Sequence, residues 1–225
     1  MARSPAEHYA DVGGSVTICY ERFGDPGDPP LVLIMGLGRQ LIAWPDELCA
    51  QLSAKQLHVV RFDNRDIGRS WHAPIPPPRT GQLLTRRFHA DQYSLAEMAA
   101  DTAGLIESLG LRSAHIVGAS MGGMIGQTLA SRHPERVRSL VSVMSTTGAA
   151  GVGWAAPSTL RLMLAAPPTH REAAIPDARH ETIVGLGHDL PIGAVPTVAQ
   201  LILDHVARAE PAATRGGDRA WRAVA

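Results

Sequence analysis

Short apolar runs alternate with amphipathic stretches through the first two thirds of the chain. Continuous apolar runs of four to six residues are typical of strands buried on both faces of a parallel sheet. The predicted strands are residues 15–23, 31–35, 57–62, 114–117 and 137–144, and the predicted helices are residues 45–54, 94–109 and 123–132. This alternation predicts an α/β fold, a mostly parallel sheet with helices on both faces.

The alternation stops after residue 147. Residues 148–178 contain one apolar segment and no convincing strand, and a further strand over 180–184 and a helix over 197–208 then follow. Residues 210–225 are rich in Ala, Arg and Gly without a period, which predicts a disordered tail. We therefore expect one domain over residues 1–209.

Residues 118–122 read Gly-Ala-Ser-Met-Gly, between a predicted strand and a helix-compatible segment. This context favours a nucleophile elbow over an ordinary glycine-rich turn, because the elbow is a sharp strand-to-helix turn. Gly118 and Gly122 would leave room for the turn, and Ser120 would be exposed at the end of the strand. The helix N-terminus beneath it would favour a developing anion.

Composition narrows the class of protein further. The formal net charge is zero and aromatic residues are 4% of the chain, so no nucleic-acid partner is indicated. Cys19 and Cys49 lie far apart in apolar surroundings, which indicates two buried thiols rather than a disulfide or metal site. No apolar stretch approaches a membrane span, and the first 14 residues contain no signal-type apolar region. The expectation is a cytoplasmic protein with no membrane partner.

Four segments together resemble the α/β-hydrolases, in particular bacterial esterases of the aclacinomycin methylesterase-like group. They are the elbow, Ile-Met-Gly-Leu-Gly at residues 34–38, Arg-Phe-Asp-Asn-Arg-Asp-Ile-Gly-Arg-Ser at 61–70 and Gly-Leu-Gly-His-Asp-Leu-Pro at 185–191. They are similar to the elbow, the oxyanion loop, the Asp-x-Arg-Gly-x-Gly-x-Ser turn and the histidine loop of that family, in the same order.

The resemblance implies the site residues. Ser120 is the expected nucleophile, and His188 is the expected base that removes the hydroxyl proton as the serine attacks. The backbone N–H groups of Leu37 and Met121 are the expected oxyanion hole. A metal or organic cofactor is not implied. Asp63, Arg65 and Ser70, in the turn at residues 61–70, are expected to be structural rather than catalytic.

The chain departs from the family in its later part. Only about 30 residues separate residue 147 from the predicted last strand, so the helical cap of the family is reduced or absent. The family's catalytic triad consists of the serine, the histidine and a carboxylate that orients the histidine, and the strand that carries this carboxylate is not evident here. The acids between Ser120 and His188 are Glu135, Glu172, Asp177 and Glu181. Glu172 is the candidate for the acid, because Glu135 follows the elbow helix, Asp177 precedes the last strand and Glu181 lies within it.

Two functions remain open at this point. The first is a serine hydrolase that cleaves a small carboxylic ester through an acyl-enzyme intermediate. The second is a catalytically silent hydrolase remnant with a binding or assembly role, or a truncated product. If the last predicted strand pairs directly with residues 137–144, it moves by about 4.8 Å and carries His188 away from the serine. An unpaired strand edge would instead favour a homo-oligomer.

Overall fold

The computed structural model describes residues 6–75, 82, 89, 91–147 and 192–213, without the side chains of residues 192 and 211–213. The predicted strand over 180–184, the predicted remnant of the cap over 148–178, the tail from residue 214, Glu172 and His188 lie outside the described residues.

Six strands of the described residues form one sheet. They are β1 (His8–Asp11), β2 (Thr17–Phe23), β3 (Pro30–Ile34), β4 (His58–Phe62), β5 (Ala114–Ala119) and β6 (Val137–Val143). Their order across the sheet is β1-β2-β4-β3-β5-β6. The four strands β4, β3, β5 and β6 are parallel, whereas β1 and β2 run antiparallel to their neighbours. The predicted mostly parallel sheet is confirmed.

Helices cover both faces of this sheet. They are α1 (Asp46–Ser53), α2 (Leu95–Ser108), α3 (Met121–Arg132) and α4 (Val195–Ala213). Apolar side chains of α2 and α3 pack on one face, and those of α1 and α4 pack on the other. Adjacent strand residues therefore enter opposite cores: Val32 and Ile116 face α2 and α3, while Leu33 and Val117 face α1 and α4. Burial on both faces explains why these strands are continuously apolar in the sequence.

Most element boundaries lie within two residues of the predicted ones, and three differences matter for the fold. The polar segment at residues 8–11 forms the edge strand β1, which the sequence did not predict. Helix α3 begins at Met121, directly after the elbow serine. Helix α4 extends the predicted helix at both ends, and Glu210, assigned from sequence to the tail, lies in this helix and contacts His115 through a 2.8 Å hydrogen bond.

A buried ion pair joins β2, β4 and α1. Arg61 is 2% exposed, and its guanidinium donates to Glu21 on β2 at 2.5 and 2.8 Å. It also donates to Asp46 of α1 at 2.5 Å and to the carbonyl of Trp44. Burying a charge is costly unless its partners are retained, so the loss of one partner is more destabilising than the net worth of the pair.

We expect Arg61→Ala to lower the free energy of unfolding by about 3–5 kcal/mol, because it leaves Glu21 buried and uncompensated. The matched control is Arg136→Ala, which breaks an exposed pair with Glu107 and should cost less than about 1 kcal/mol. Urea denaturation of both variants measures the difference. Equal losses of unfolding free energy in the two variants would show that burial does not increase the contribution of the Arg61 pair to stability.

Among the described residues, three histidines lie in the interior: His58 on β4, His115 on β5 and His205 on α4. Burial lowers the pKa of each of them. For His58, nearby Arg22 lowers the pKa further, whereas for His115 the hydrogen bond to the Glu210 carboxylate raises the pKa and opposes the effect of burial. Neither ring nitrogen of His58 has a hydrogen-bond partner among the described residues. Burial therefore disfavours the protonated form of these side chains in the folded protein.

The sign of the pH dependence follows. As the pH falls below about 6.5, histidines of the unfolded chain take up protons that the folded chain resists, so the folded state loses stability. Each histidine contributes at most about 1.4 kcal/mol per pH unit. We expect His58→Leu to flatten the decline in unfolding free energy between pH 7 and pH 5, measured by urea denaturation at each pH. A decline as steep as that of the wild type would contradict the assignment.

Candidate active site

Ser120 lies in the tight connection between β5 and α3. Its backbone has φ 54° and ψ −120°, a conformation that costs a non-glycine residue about 1–3 kcal/mol and survives only where the surroundings enforce it. The Ser120 N–H donates to the carbonyl of Val143 at 2.9 Å, and the Ser145 hydroxyl donates to the Ser120 carbonyl at 2.7 Å. Val143, the last residue of β6, and Ser145, two residues later, thus bind the N–H and the carbonyl of the strained residue. This is the geometry that defines a nucleophile elbow.

The glycines on either side of the serine are required by contact distances. A Cβ on Gly118 would lie 2.2 Å from the carbonyl oxygen of Gly122, and a Cβ on Gly122 would lie 2.1 Å from the carbonyl oxygen of Ile34. Real Cβ atoms do not approach oxygen so closely, and backbone atoms on both sides leave no room for relief. The explanation predicted from sequence, that no side chain fits in this turn, is confirmed.

The loop after β3 passes directly beside the serine. A Cβ on Gly36 would lie 3.0 Å from Ser120 Cβ and 3.4 Å from its Oγ. Leu37 follows and is 52% exposed. On the other side of the serine, Met121 is the first residue of α3, so its N–H has no acceptor within the helix. The structure therefore brings Ser120, Leu37 and Met121, three of the predicted site residues, to the carboxyl ends of the parallel strands.

The turn after β4 lies behind that loop. Asp63 and Asn64 are 4% and 2% exposed, and both contact the segment after β3. Asn64 Nδ2 donates to the Met35 carbonyl at 2.8 Å, and Asp63 Oδ1 accepts from the Leu41 N–H at 2.6 Å. Sequence reasoning treated Asp63 as structural and did not single out Asn64. The signal that could have identified Asn64 is a polar residue directly after a buried strand that neighbours the serine-bearing region.

The remaining polar residues of this turn hold it in place. The Ser70 hydroxyl accepts from the Cys19 N–H at 2.9 Å and donates to the Asp63 carbonyl at 2.6 Å. Arg65 forms two 2.6 Å hydrogen bonds with Asp101 of α2. Burial raises the pKa of the Asp63 carboxyl, although the N–H groups of Leu41 and Arg69 oppose the effect. These contacts confirm the expected structural role of Arg65 and Ser70.

The predicted base and acid are not part of the described geometry. His188 and Glu172 lie outside the described residues, so their positions relative to Ser120 stay predictions. Of the acids considered from sequence, Glu135 is described: it lies in the short 3-10 turn that precedes β6. Since β5 and β6 are parallel, Glu135 lies at the amino ends of these strands, whereas Ser120 lies at their carboxyl ends. This agrees with its exclusion as the acid.

Two further properties concern only the part of the chain that the structure describes. Within it, no group of three or more His, Cys, Asp and Glu side chains could hold a metal ion. Within the same residues, no helix combines the length and the apolar character needed to cross a lipid bilayer.

The fold and the elbow define a class, and comparison with known proteins identifies it. The family described as alpha/beta hydrolase fold matches residues 29–184, well over half of the chain. The chain belongs to the α/β-hydrolase fold family.

Two curated relatives are similar to the chain over slightly more than half of its length. It is 37% identical over 129 residues to the rhodomycin D methylesterase DnrP of Streptomyces peucetius, which covers 57% of this chain and 39% of that protein. It is 36% identical over 128 residues to a putative carbamate hydrolase, RutD, of Caulobacter segnis, which covers 56% and 42%. The matched region thus spans about two fifths of the length of these relatives.

A solved structure agrees on the fold. The 2-hydroxy-6-oxo-6-phenylhexa-2,4-dienoate hydrolase of Rhodococcus sp. strain RHA1 superimposes with a TM-score of 0.59 at 21% identity. The superposition covers 90% of this chain and 66% of that one. At this identity the similarity supports the fold alone.

Gly122→Ala tests the contact distances at the elbow. The added methyl would collide with the Ile34 carbonyl, so we expect a loss of at least about 3 kcal/mol of unfolding free energy or failure to fold. The control is Gly126→Ala in the same helix, whose methyl meets the end of the Leu140 side chain at 2.8 Å. There the gain in helix propensity offsets the crowding, so a change within about 1 kcal/mol is expected. Thermal denaturation of both variants and the wild type measures the two losses of stability. A Gly122→Ala variant as stable as the wild type would refute the steric argument.

Proposed function

We propose that this protein is a serine hydrolase that cleaves a carboxylic ester through an acyl-enzyme intermediate. The observation that carries the proposal is the enforced backbone conformation of Ser120, with the Gly36 backbone beside its hydroxyl. Strain at a half-buried serine, at the carboxyl end of a parallel sheet, is typical of a nucleophile rather than of a turn that only reverses the chain.

In the proposed reaction, Ser120 Oγ attacks the ester carbonyl carbon while His188 takes the hydroxyl proton. The negative charge that develops on the carbonyl oxygen is stabilised by the N–H groups of Leu37 and Met121, the latter at the N-terminus of α3. The tetrahedral intermediate collapses as the alcohol leaves with the proton from His188. Water then attacks the acyl-enzyme by the same route, with the acid released and Ser120 regenerated.

The proposed substrate class is a small ester, methyl or short acyl. One relative is a rhodomycin D methylesterase, and the short stretch between residue 147 and the predicted last strand, with its predicted reduction of the cap, is in keeping with a small substrate. The other relative is a putative carbamate hydrolase, so a carbamate is a second carbonyl substrate to assay. Both reactions use the same nucleophile and the same oxyanion stabilisation. Neither requires a metal or organic cofactor.

The remaining question is the group that orients His188. Glu172 is the proposed acid. If Glu172 does not bind the His188 ring, the rate of hydrolysis would be lower but not zero. In serine hydrolases of this type, the elbow and the oxyanion hole retain about 10³–10⁴-fold of the rate enhancement when a triad residue is lost. A missing acid is thus expected to leave a weakly active enzyme, and a displaced histidine a weaker one still, because the base contributes more to the rate than the acid.

The test is covalent labelling with a fluorophosphonate, followed by intact-mass measurement. We expect one adduct in the wild type, no adduct in Ser120→Ala and labelling at least about 100-fold slower in His188→Ala, which lacks the base. Hydrolysis of p-nitrophenyl acetate should follow the same order. Glu172→Gln should slow labelling if Glu172 orients His188.

The control variant is Ser131→Ala, which removes an exposed serine from the same helix and should label like the wild type. An adduct that persists in Ser120→Ala would place the reactive group elsewhere. A folded, monodisperse wild type that forms no adduct would favour the silent remnant, and size-exclusion chromatography would then show whether the protein is a homo-oligomer.

A further inference from the structure

We propose that Asp63 and Asn64 are positioning residues that hold the segment of residues 36–40, which includes the proposed oxyanion donor Leu37, at the distance from Ser120 that the reaction requires. This inference rests on the proposed function, because the loop contributes the Leu37 N–H. It assigns a role to two side chains of the turn after β4.

The two side chains bind the two ends of the loop. Asn64 Nδ2 donates to the Met35 carbonyl, the last peptide group before Gly36, at 2.8 Å. Asp63 Oδ1 accepts from the N–H of Leu41, the first residue after the loop, at 2.6 Å. Adjacent residues of one turn therefore fix both ends of a five-residue segment.

The turn itself is held firmly enough to act as a support. Asp63 Oδ2 accepts from the Arg69 N–H at 3.2 Å, and its carbonyl accepts from the Ser70 hydroxyl at 2.6 Å. Gly68 has φ 56°, and a Cβ there would lie 2.0 Å from Asp63 Oδ2. The carboxylate is therefore enclosed by backbone on the side away from the loop.

The contacts fix the peptide group that would donate to the oxyanion. The Met35 carbonyl sets the plane of the Met35–Gly36 peptide, and the Gly36 carbonyl accepts from the Arg39 N–H at 3.4 Å, which sets the next plane. That next peptide contains the Leu37 N–H. A donor displaced by about 1 Å can cost roughly 100-fold in rate, so a support distant from the substrate can control the chemistry.

The experiment compares four variants. Asn64→Leu removes the donor to Met35, and Asp63→Ala removes the acceptor for Leu41. Asp63→Asn keeps an oxygen that can accept from the Leu41 N–H and serves as the conservative rescue. Asp101→Asn weakens the Arg65 pair on the other side of the same turn without contacting the loop, and so controls for a general loss of stability.

Two readouts are measured on each folded variant: kcat and KM for p-nitrophenyl acetate, and amide hydrogen exchange of residues 36–41. For Asn64→Leu and Asp63→Ala we expect kcat to fall about 10- to 100-fold with KM within about two-fold, because a transition-state donor is misplaced. Exchange of the loop should accelerate at least about ten-fold, since about 1.4 kcal/mol of lost protection is a factor of ten. Asp63→Asn should recover much of both, and Asp101→Asn should keep wild-type kcat and loop exchange.

The readouts separate the two levels of inference. If the wild type neither labels nor hydrolyses esters, the proposed function fails, and faster loop exchange in Asn64→Leu would still establish that the turn holds the loop. If loop exchange and kcat are unchanged in both Asn64→Leu and Asp63→Ala, the positioning role is overturned. Losses of equal size in Asp101→Asn would also overturn it, because they would show only destabilisation.

Discussion

The structure depends on a crossing of backbones that leaves no space for a side chain. Strand β3 ends beside β5, and α3 leaves the sheet directly after β5, so the first turn of the helix passes over the ends of both strands. The Ile34 carbonyl, Gly118 and Gly122 meet there at distances that exclude a single methyl group. The absence of side chains at these glycines lets the helix pack this closely, with Ser120 in its strained conformation in the connection and the Gly36 backbone against it.

The order of the strands decides which neighbour can influence the serine. The central β3 lies between β4 and β5, so the segment after β3 lies between Ser120 and the turn after β4. Its polar side chains instead contact the segment after β3, and that segment contacts the serine. The polar turn therefore influences Ser120 through the segment after β3. Hydrophobic burial holds the strands, and hydrogen bonds at their carboxyl ends adjust the loops.

The sequence predicts most of the elements that two-sided burial produces. The apolar runs at β3, β4 and β5 and the Ser94–Glu97 capping box, whose backbone hydrogen bonds are 2.8 and 3.1 Å, were recognisable from local pattern. The edge strand β1 was not, because its pairing partner β2, rather than its own polar sequence, makes it a strand. Asn64 was missed for a similar reason: its meaning depends on β4 lying beside β3, and strand order is not a local property.

Helix α4 has a consequence for how the protein is made. Its apolar residues Val195, Ala199, Ile202 and Val206 complete a core whose other side includes Leu33 on β3 and Val117 on β5. The six described strands precede this helix in the chain, and of the described helices on this sheet face α1 alone is synthesised before it. A ribosome-bound chain that pauses before residue 195 presents this apolar face to its surroundings, as aggregation-prone intermediates do. The time between synthesis of the strands and synthesis of α4 is therefore the period in which this face is open to aggregation or to a chaperone.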